Sequence, residues 1–358
     1  MTLEGRFDGE VVTVAGDARQ RFHDARGYGY PLEGNEIALA PVEAAHLLYR
    51  EDLAAVVDET AGGTKLGFRD VLARELGPDF GVRFLVYADL RSRGFYLSPA
   101  REPWIDDPPE YADFAVFPRG KGPQDGDVEY ALRVVGERTD LQANELVGGA
   151  LAVVDEESEI TYFDVTQPEI SGSSVTDLPA DVEADLLADR VVVWDPPQSL
   201  YERTFYGQPL EGREYDRPTL QCSLLEAAYL ARAGAIDLDP AVVRERGRDV
   251  EGVRFDRRLA VYRQLREAGV VPKTGYKFGA DFRTYAAVES VDDLGHSELL
   301  VRVLEREHVF EPRDLSLDVR LAHGVRKTMA FALVGDGGSG DEADDPEIEW
   351  WSLERLTP

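Results

Sequence analysis

Tyr285, His296 and Lys327 are the side-chain types that can cut a phosphodiester bond without a metal ion. Cleavage of RNA by its own ribose needs three things. A proton must leave the 2′-hydroxyl, a proton must reach the leaving 5′-oxygen, and positive charge must stand beside the crowded phosphorane. Histidine, with an ordinary pKa of about 6.5, can donate to the leaving group. Lysine supplies charge where the transition state becomes negative. Tyrosine becomes a base once its pKa of about 10 is lowered, which a neighbouring lysine can do. On the residues alone, a metal-dependent DNA nuclease and a non-catalytic RNA-binding subunit remain alternatives.

What lifts these residues above others of their kind is an internal repeat. Tyr30-Pro31-Leu32-Glu33-Gly34 is answered by Pro209-Leu210-Glu211-Gly212, and Val42-Glu43-Ala44-Ala45 by Leu225-Glu226-Ala227-Ala228. Val86-Tyr87 is answered by Val261-Tyr262, Asp113-Phe114 by Asp281-Phe282, and Leu151 to Val154 by Phe331 to Val334. The order is kept while the offset drifts, as insertions in surface loops would cause. Matching the halves places Phe117 at Tyr285, Asp127 at His296 and Val147 at Lys327. Three polar groups are absent together from a half that keeps the scaffold, which divides the chain into a chemical half and a structural half.

The elements that must position these groups recur in both halves. A β-rich opening (Glu10 to Ala15; Arg190 to Trp194) precedes helices at Pro41 to Tyr49 and Leu220 to Arg232. Further helices are predicted at Phe84 to Arg93 and Arg257 to Ala268, the latter closed by Gly269. Strands follow at Lys273 to Phe278, Phe282 to Val288 and Glu298 to Glu305. A helix at Leu317 to Arg326 and strands at Met329 to Val334 and Ile348 to Leu353 complete the second half. Residues 1–171 are expected to form the structural repeat, 172–178 a small-residue joint, and 179–358 the catalytic repeat. Gly335 to Pro346 is an acidic, glycine-rich loop, and Asp155-Glu156-Glu157-Ser158-Glu159 is a shorter acidic turn in the matching place.

Composition narrows the setting. Asp and Glu number 69 against 39 Lys and Arg, a net charge of -30, and only five of the basic residues are lysines. Such density fits molar salt, where carboxylate repulsion is screened within about 3 Å. The sole cysteine, Cys222, rules out an internal disulfide and a zinc–thiolate cluster and is expected in the core. No apolar run reaches the roughly 20 residues of a membrane helix. Met1 to Glu10 lacks a signal pattern, so a cytoplasmic location without membrane partners is expected.

The run Lys273-Thr274-Gly275-Tyr276-Lys277-Phe278-Gly279-Ala280-Asp281-Phe282-Arg283-Thr284-Tyr285 resembles the strand pair of archaeal tRNA-splicing endonucleases. His296-Ser297-Glu298 and Val319-Arg320-Leu321-Ala322-His323-Gly324-Val325-Arg326-Lys327 complete that signature. The resemblance covers the whole chain, to the branch in which two fused repeats work as a homodimer, and the acidity points to a haloarchaeal member. It implies a duplicated α+β or α/β fold, each repeat having a small N-terminal subdomain and a restriction-endonuclease-like C-terminal one with a mixed sheet. It implies excision of introns from precursor tRNA at a bulge-helix-bulge, leaving a 2′,3′-cyclic phosphate and a 5′-hydroxyl, without cofactor or metal. Whether intron-containing rRNA is also cut stays open. Tyr285 takes the place of the general base, His296 of the general acid and Lys327 of the charge stabiliser. Arg320 and Arg355 take the places of two arginines that clamp a bulged base. The turn Asp155, Glu156, Glu157 and Glu159 takes the place of a loop that docks on the partner subunit. A basic patch of Arg320, Arg326, Arg355, Lys273 and Lys277 is the expected RNA contact. His323 is expected to pack or to hydrogen-bond rather than act as a second acid, and Trp350-Trp351 to be buried at an interface rather than stacked on RNA.

Overall fold

The computed structural model describes residues 3–74, 77, 79–174, 177–210, 217–335 and 346–358. Its backbone is a ten-stranded mixed sheet to which both halves contribute equally. The first half supplies β1 (Leu97–Pro99), β2 (Phe114–Val116), β3 (Tyr130–Gly136), β4 (Gly149–Val154) and β5 (Ile160–Thr166). The second supplies β6 (Val271–Thr274), β7 (Phe282–Tyr285), β8 (Leu299–Glu305), β9 (Thr328–Val334) and β10 (Ile348–Leu356). The order is β6-β7-β8-β9-β10-β5-β4-β3-β2-β1, so the two five-stranded halves mirror each other about an antiparallel seam between β10 and β5. In each half one pair is parallel, β3 with β4 and β8 with β9, and needs a crossover. The second-half crossover carries a helix, Pro312–Gly324, while the first-half one holds a two-residue strand, Leu141–Gln142, and the short 3-10 turn Ala143–Glu145.

Each half also has a small sheet at its start, six-stranded within residues 3–66 and four-stranded within residues 184–223. The helices, in chain order, are α1 (Pro41–Tyr49), α2 (Phe80–Ser92), α3 (Leu224–Arg232), α4 (Pro240–Glu251), α5 (Arg254–Glu267) and α6 (Pro312–Gly324), with two shorter ones at Phe68–Ala73 and Ser199–Glu202. Of the apolar residues at helical spacing, α5 buries Val261, Tyr262 and Leu265 and half-buries Leu259, and it adds Phe255, which lies before the predicted start at Arg257. Ser223 caps α3, its hydroxyl accepting from the Glu226 N–H. α4 is an element the apolar pattern does not announce, since it buries only Val243 and Gly247. Gly247 is needed because a Cβ there would lie 2.3 Å from the Phe255 ring.

Some strands end short of their sequence patterns, while Met329 to Val334 and Ile348 to Leu353 belong to longer ones, Thr328–Val334 and Ile348–Leu356. Lys273 to Phe278 is a strand only to Thr274 and then a tight 3-10 turn, Tyr276–Phe278. Leu220 to Ser223 is the end of a strand, with α3 starting at Leu224. One face of the sheet packs α1 and α2 in the first half and α3 to α5 in the second. The other face is a single core across the seam, in which Val135, Leu151 and Phe163 meet Leu315, Val319 and Phe331. Trp350 and Trp351 are buried one on each face, so these rings serve the chain's own core. The segment after the first half is strapped down rather than free. Gly172, Ser173 and Ser174 donate their N–H groups to the carbonyls of Ala268 (2.8 Å), Ala286 (2.7 Å) and Gly269 (3.0 Å). Gly172 and Gly269 cross so closely that a Cβ on Gly172 would sit 2.4 Å from the Gly269 carbonyl oxygen.

Candidate active site

Tyr285, His296 and Lys327 reach one end of the sheet from three adjacent strands. Tyr285 ends β7 and is 6% exposed, its ring walled by Phe205 (centroids 6.0 Å apart), Val271 and Val288. His296 is exposed in the loop just before β8. That loop is tied to the strand bearing Tyr285, because the Glu298 N–H donates to the Thr284 carbonyl at 3.1 Å. Lys327 lies between α6 and β9. Arg326, at φ 57, turns the chain out of the helix, and the Lys327 N–H closes back on the Ala322 carbonyl at 3.0 Å. The Lys327 ammonium donates to the Ser297 carbonyl at 2.6 Å, next to His296, and stands 5.9 Å from the centre of the Phe278 ring. Burial, and then the charge of Arg283, hold the Lys327 pKa below its ordinary value.

The first half carries the same strands without these groups. Asp113 and Asp281 make matching bonds, accepting from the N–H of Val134 (2.7 Å) and Val303 (2.9 Å). Val134 pairs with Ala152 and Val303 with Ala332. That register sets Phe117 opposite Tyr285, Asp127 opposite His296 and Val147 opposite Lys327. Phe117 is 1% exposed and apolar, and Asp127 is an exposed partner of Lys121 at 2.6 Å.

Arg320 on α6 and Arg355 on β10 are exposed and line one cleft together with His323, Asp155 and Glu159. The acidic turn joins β4 to β5. Asp155 accepts from the N–H groups of Glu157 (2.9 Å) and Glu159 (2.8 Å), and Glu156 pairs with Arg138 at 2.5 Å. Among the described residues no group of three or more His, Cys, Asp or Glu side chains is placed to hold a metal ion. Nor is any helix long and apolar enough to cross a membrane.

Comparison with known proteins now bears on this geometry. The sequence model for the tRNA intron endonuclease N-terminal domain matches residues 3–72 and again residues 182–245. The model for the family's catalytic C-terminal domain matches residues 255–343, the part of the chain that holds all three residues. The chain is 58% identical to a tRNA-splicing endonuclease of Halobacterium salinarum across 99% of its length and 100% of the relative's. The chain belongs to the tRNA intron endonuclease family. Similar proteins of that name occur in Haloferax volcanii (56% identical, 99% of this chain and 100% of the relative) and Methanococcoides burtonii (35%, 91% and 94%). The haloarchaeal likeness agrees with the charge of -30.

Within this family member, two expectations about individual residues need correction. Lys273 is not part of an RNA-binding patch. Its ammonium is buried against Glu226 at 2.7 Å and also donates to the carbonyls of Phe205 and Gly207, both at 3.2 Å. It lies 4.7 Å from the centre of the Phe205 ring, the same ring that backs Tyr285, so it supports the site from behind. His323 does not pack in the core, because Val319 and Ala322 take the buried side of α6 and leave it exposed in the cleft. Lys277 is exposed as expected, and Cys222 is fully buried, its thiol pKa pushed up by burial. The loop Gly335 to Pro346 falls almost wholly outside the described residues. Arg283, whose counterpart in the first half is Ala115, is a residue the sequence reading missed. The repeat comparison that singled out Tyr285 would have found it.

Proposed function

We propose that this chain excises introns from precursor tRNA by metal-free transesterification at the two bulges of a bulge-helix-bulge. Tyr285 takes the proton of the 2′-hydroxyl as its oxygen attacks the phosphorus. His296 gives a proton to the departing 5′-oxygen, and Lys327 offsets the charge that gathers on the phosphorane. The products are a 2′,3′-cyclic phosphate and a 5′-hydroxyl. The observation that supports this most is the meeting of the three at one sheet end, where the matching end of the first half has Phe117, Asp127 and Val147 instead. The exposure of His296 suits a group that must reach a large substrate, and Lys327 stands on the carbonyl of the next residue.

Two bulges call for two active sites, and one chain has one. A homodimer supplies the second, each chain's Asp155–Glu159 turn docking on the partner's catalytic repeat, where charge complementarity would fix the register. Arg320 and Arg355 are the side chains for the bulged base, placed to offer guanidinium planes for stacking. The mixed sheet of each C-terminal subdomain is the part we assign to a restriction-endonuclease-like core. The test is cleavage of a bulge-helix-bulge precursor in molar KCl with EDTA, followed by end-group analysis. Two cuts with cyclic-phosphate and 5′-hydroxyl ends are expected. Cleavage that EDTA abolishes and Mg²⁺ restores would replace this mechanism with a metal-dependent one.

A further inference from the structure

Arg283 is half-buried on β7, two residues before Tyr285 and so on the same face of the strand. Its guanidinium carbon lies 5.7 Å from the centre of the Tyr285 ring. Its Nε is buried without a hydrogen-bond partner. Among the described residues no carboxylate pairs with it, although the chain has 69 acidic residues. Comparable arginines on this sheet are matched, Arg133 by Glu145 at 3.0 Å and Arg302 by Asp318.

The charge that acts on Lys327 from close by is this guanidinium. Among the described residues no carboxylate pairs with Lys327 either, and its ammonium donates to the Ser297 carbonyl. Two cations facing the same space repel each other until an anion comes between them, and the gain is larger where burial lowers the effective dielectric. A guanidinium fork matches two oxygens of one phosphate better than an ammonium does. The register of β7 against β2 puts Ala115 at the matching place in the first half, so this cation is missing where the other three groups are missing.

We propose that Arg283 is a fourth residue of the active centre and that, with Lys327, it holds the non-bridging oxygens of the scissile phosphate. This rests on the assignment of Tyr285, His296 and Lys327 made above. Arg283 makes and breaks no bond. It seats the phosphate beneath the attacking 2′-oxygen and keeps its grip as charge builds.

The experiment is single-turnover cleavage of a bulge-helix-bulge precursor in molar KCl by the full-length wild type and by the Arg283→Gln, Arg283→Lys and His296→Ala variants. Each is measured on the ordinary substrate and on one with sulfur in place of a non-bridging oxygen at the cut. Arg283→Gln should slow the cut by about 10²- to 10³-fold, the usual loss for one transition-state donor. Arg283→Lys should fall between it and the wild type. The sulfur substitution should slow the wild type and have a smaller effect in both variants. A wild-type rate in Arg283→Gln overturns the proposal, and so does a slowed variant whose sulfur effect is unchanged, because a merely structural arginine would behave that way. Where Arg283→Gln fails to fold, the sulfur effect in Arg283→Lys decides in the same terms. An unchanged rate in His296→Ala would instead remove the underlying site assignment.

Discussion

Glu43 and Glu226 are the third residues of matching helices, both buried, and they differ in their side-chain donors. Glu43 accepts from the N–H groups of Ala40 (2.9 Å) and Gly29 (2.7 Å), and Glu226 from those of Ser223 (3.0 Å) and Gly207 (3.0 Å). Gly29 (φ 68) and Gly207 (φ 63) share the left-handed backbone that aims those donors. Beside them Arg91 covers the Tyr28 ring at 4.0 Å and Arg266 the Tyr206 ring at 3.8 Å. The side-chain donor to Glu43 is the neutral indole of Trp104 at 2.9 Å, whereas Glu226 accepts from the Ser223 hydroxyl at 2.9 Å and from the ammonium of Lys273 at 2.7 Å. Burial therefore pushes Glu43 up to about 7, while Lys273 overcomes the burial of Glu226 and holds it at about 2. The chain keeps a clasp of neutral donors in the first half and an ionic one behind Tyr285 in the second. The difference between the halves thus reaches well behind Tyr285 itself.

The difference can be broken most sharply at the reacting groups. His296→Ala should lower cleavage by about 10²- to 10⁴-fold, the span for a lost general acid, while Asp127→Ala leaves the rate unchanged. Equal effects in a single-turnover assay would dissolve the assignment of chemistry to one half. Next comes the clasp itself. Lys273→Met strands a buried carboxylate and should destabilise by about 3–5 kcal/mol. Trp104→Phe removes one neutral donor and should cost about 1–3 kcal/mol. Denaturant unfolding in molar KCl that ranked the two the other way round would refute the ionic-versus-neutral distinction.

Acid titration of stability sharpens the same contrast, with opposite signs. The Glu43 pKa is raised from 4.5 to about 7, so its contribution is fully present below 4.5 and is lost as pH rises through 7. The Glu226 pKa is lowered from 4.5 to about 2, so its contribution is present above 4.5 and is lost as pH falls toward 2. Glu43→Gln should flatten the stability curve between those first two values and leave the acid side alone, by an amount on the order of 3 kcal/mol. A Glu43→Gln curve parallel to the wild type from pH 4.5 to 7 would show the group is ionised throughout. The smallest effect is expected from Phe117→Tyr, about 1–3 kcal/mol for a buried hydroxyl. Added to His296→Ala it should restore no cleavage, since Asp127, Val147 and Ala115 still stand around it.

Much of this was legible because a duplicated sequence carries its own control. Matching the halves isolates Tyr285, His296 and Lys327, and the apolar stripe of α5 and the Gly269 cap can be read directly. α4 was lost because it is polar almost all round, although Asp239-Pro240 is a helix start that capping rules could have flagged. Lys273 was misplaced because a lysine's type says solvent, and only the tertiary partner Glu226 overrides that. The pairing of β10 with β5 leaves no local trace, since strand partners are chosen by the whole sheet rather than by either segment.

That seam sets a condition on how the chain can be made. When the first half emerges from the ribosome, β5 is an open edge of seven residues, and its natural cover, residues 348–356, has yet to be synthesised. An open edge bearing Tyr162 and Phe163 invites pairing with any passing strand. Asp164, exposed in the middle of it, interrupts the apolar run that such pairing would use, and in the finished molecule it lies directly across from Glu354. A single charged residue on that edge therefore guards a half-built sheet during translation.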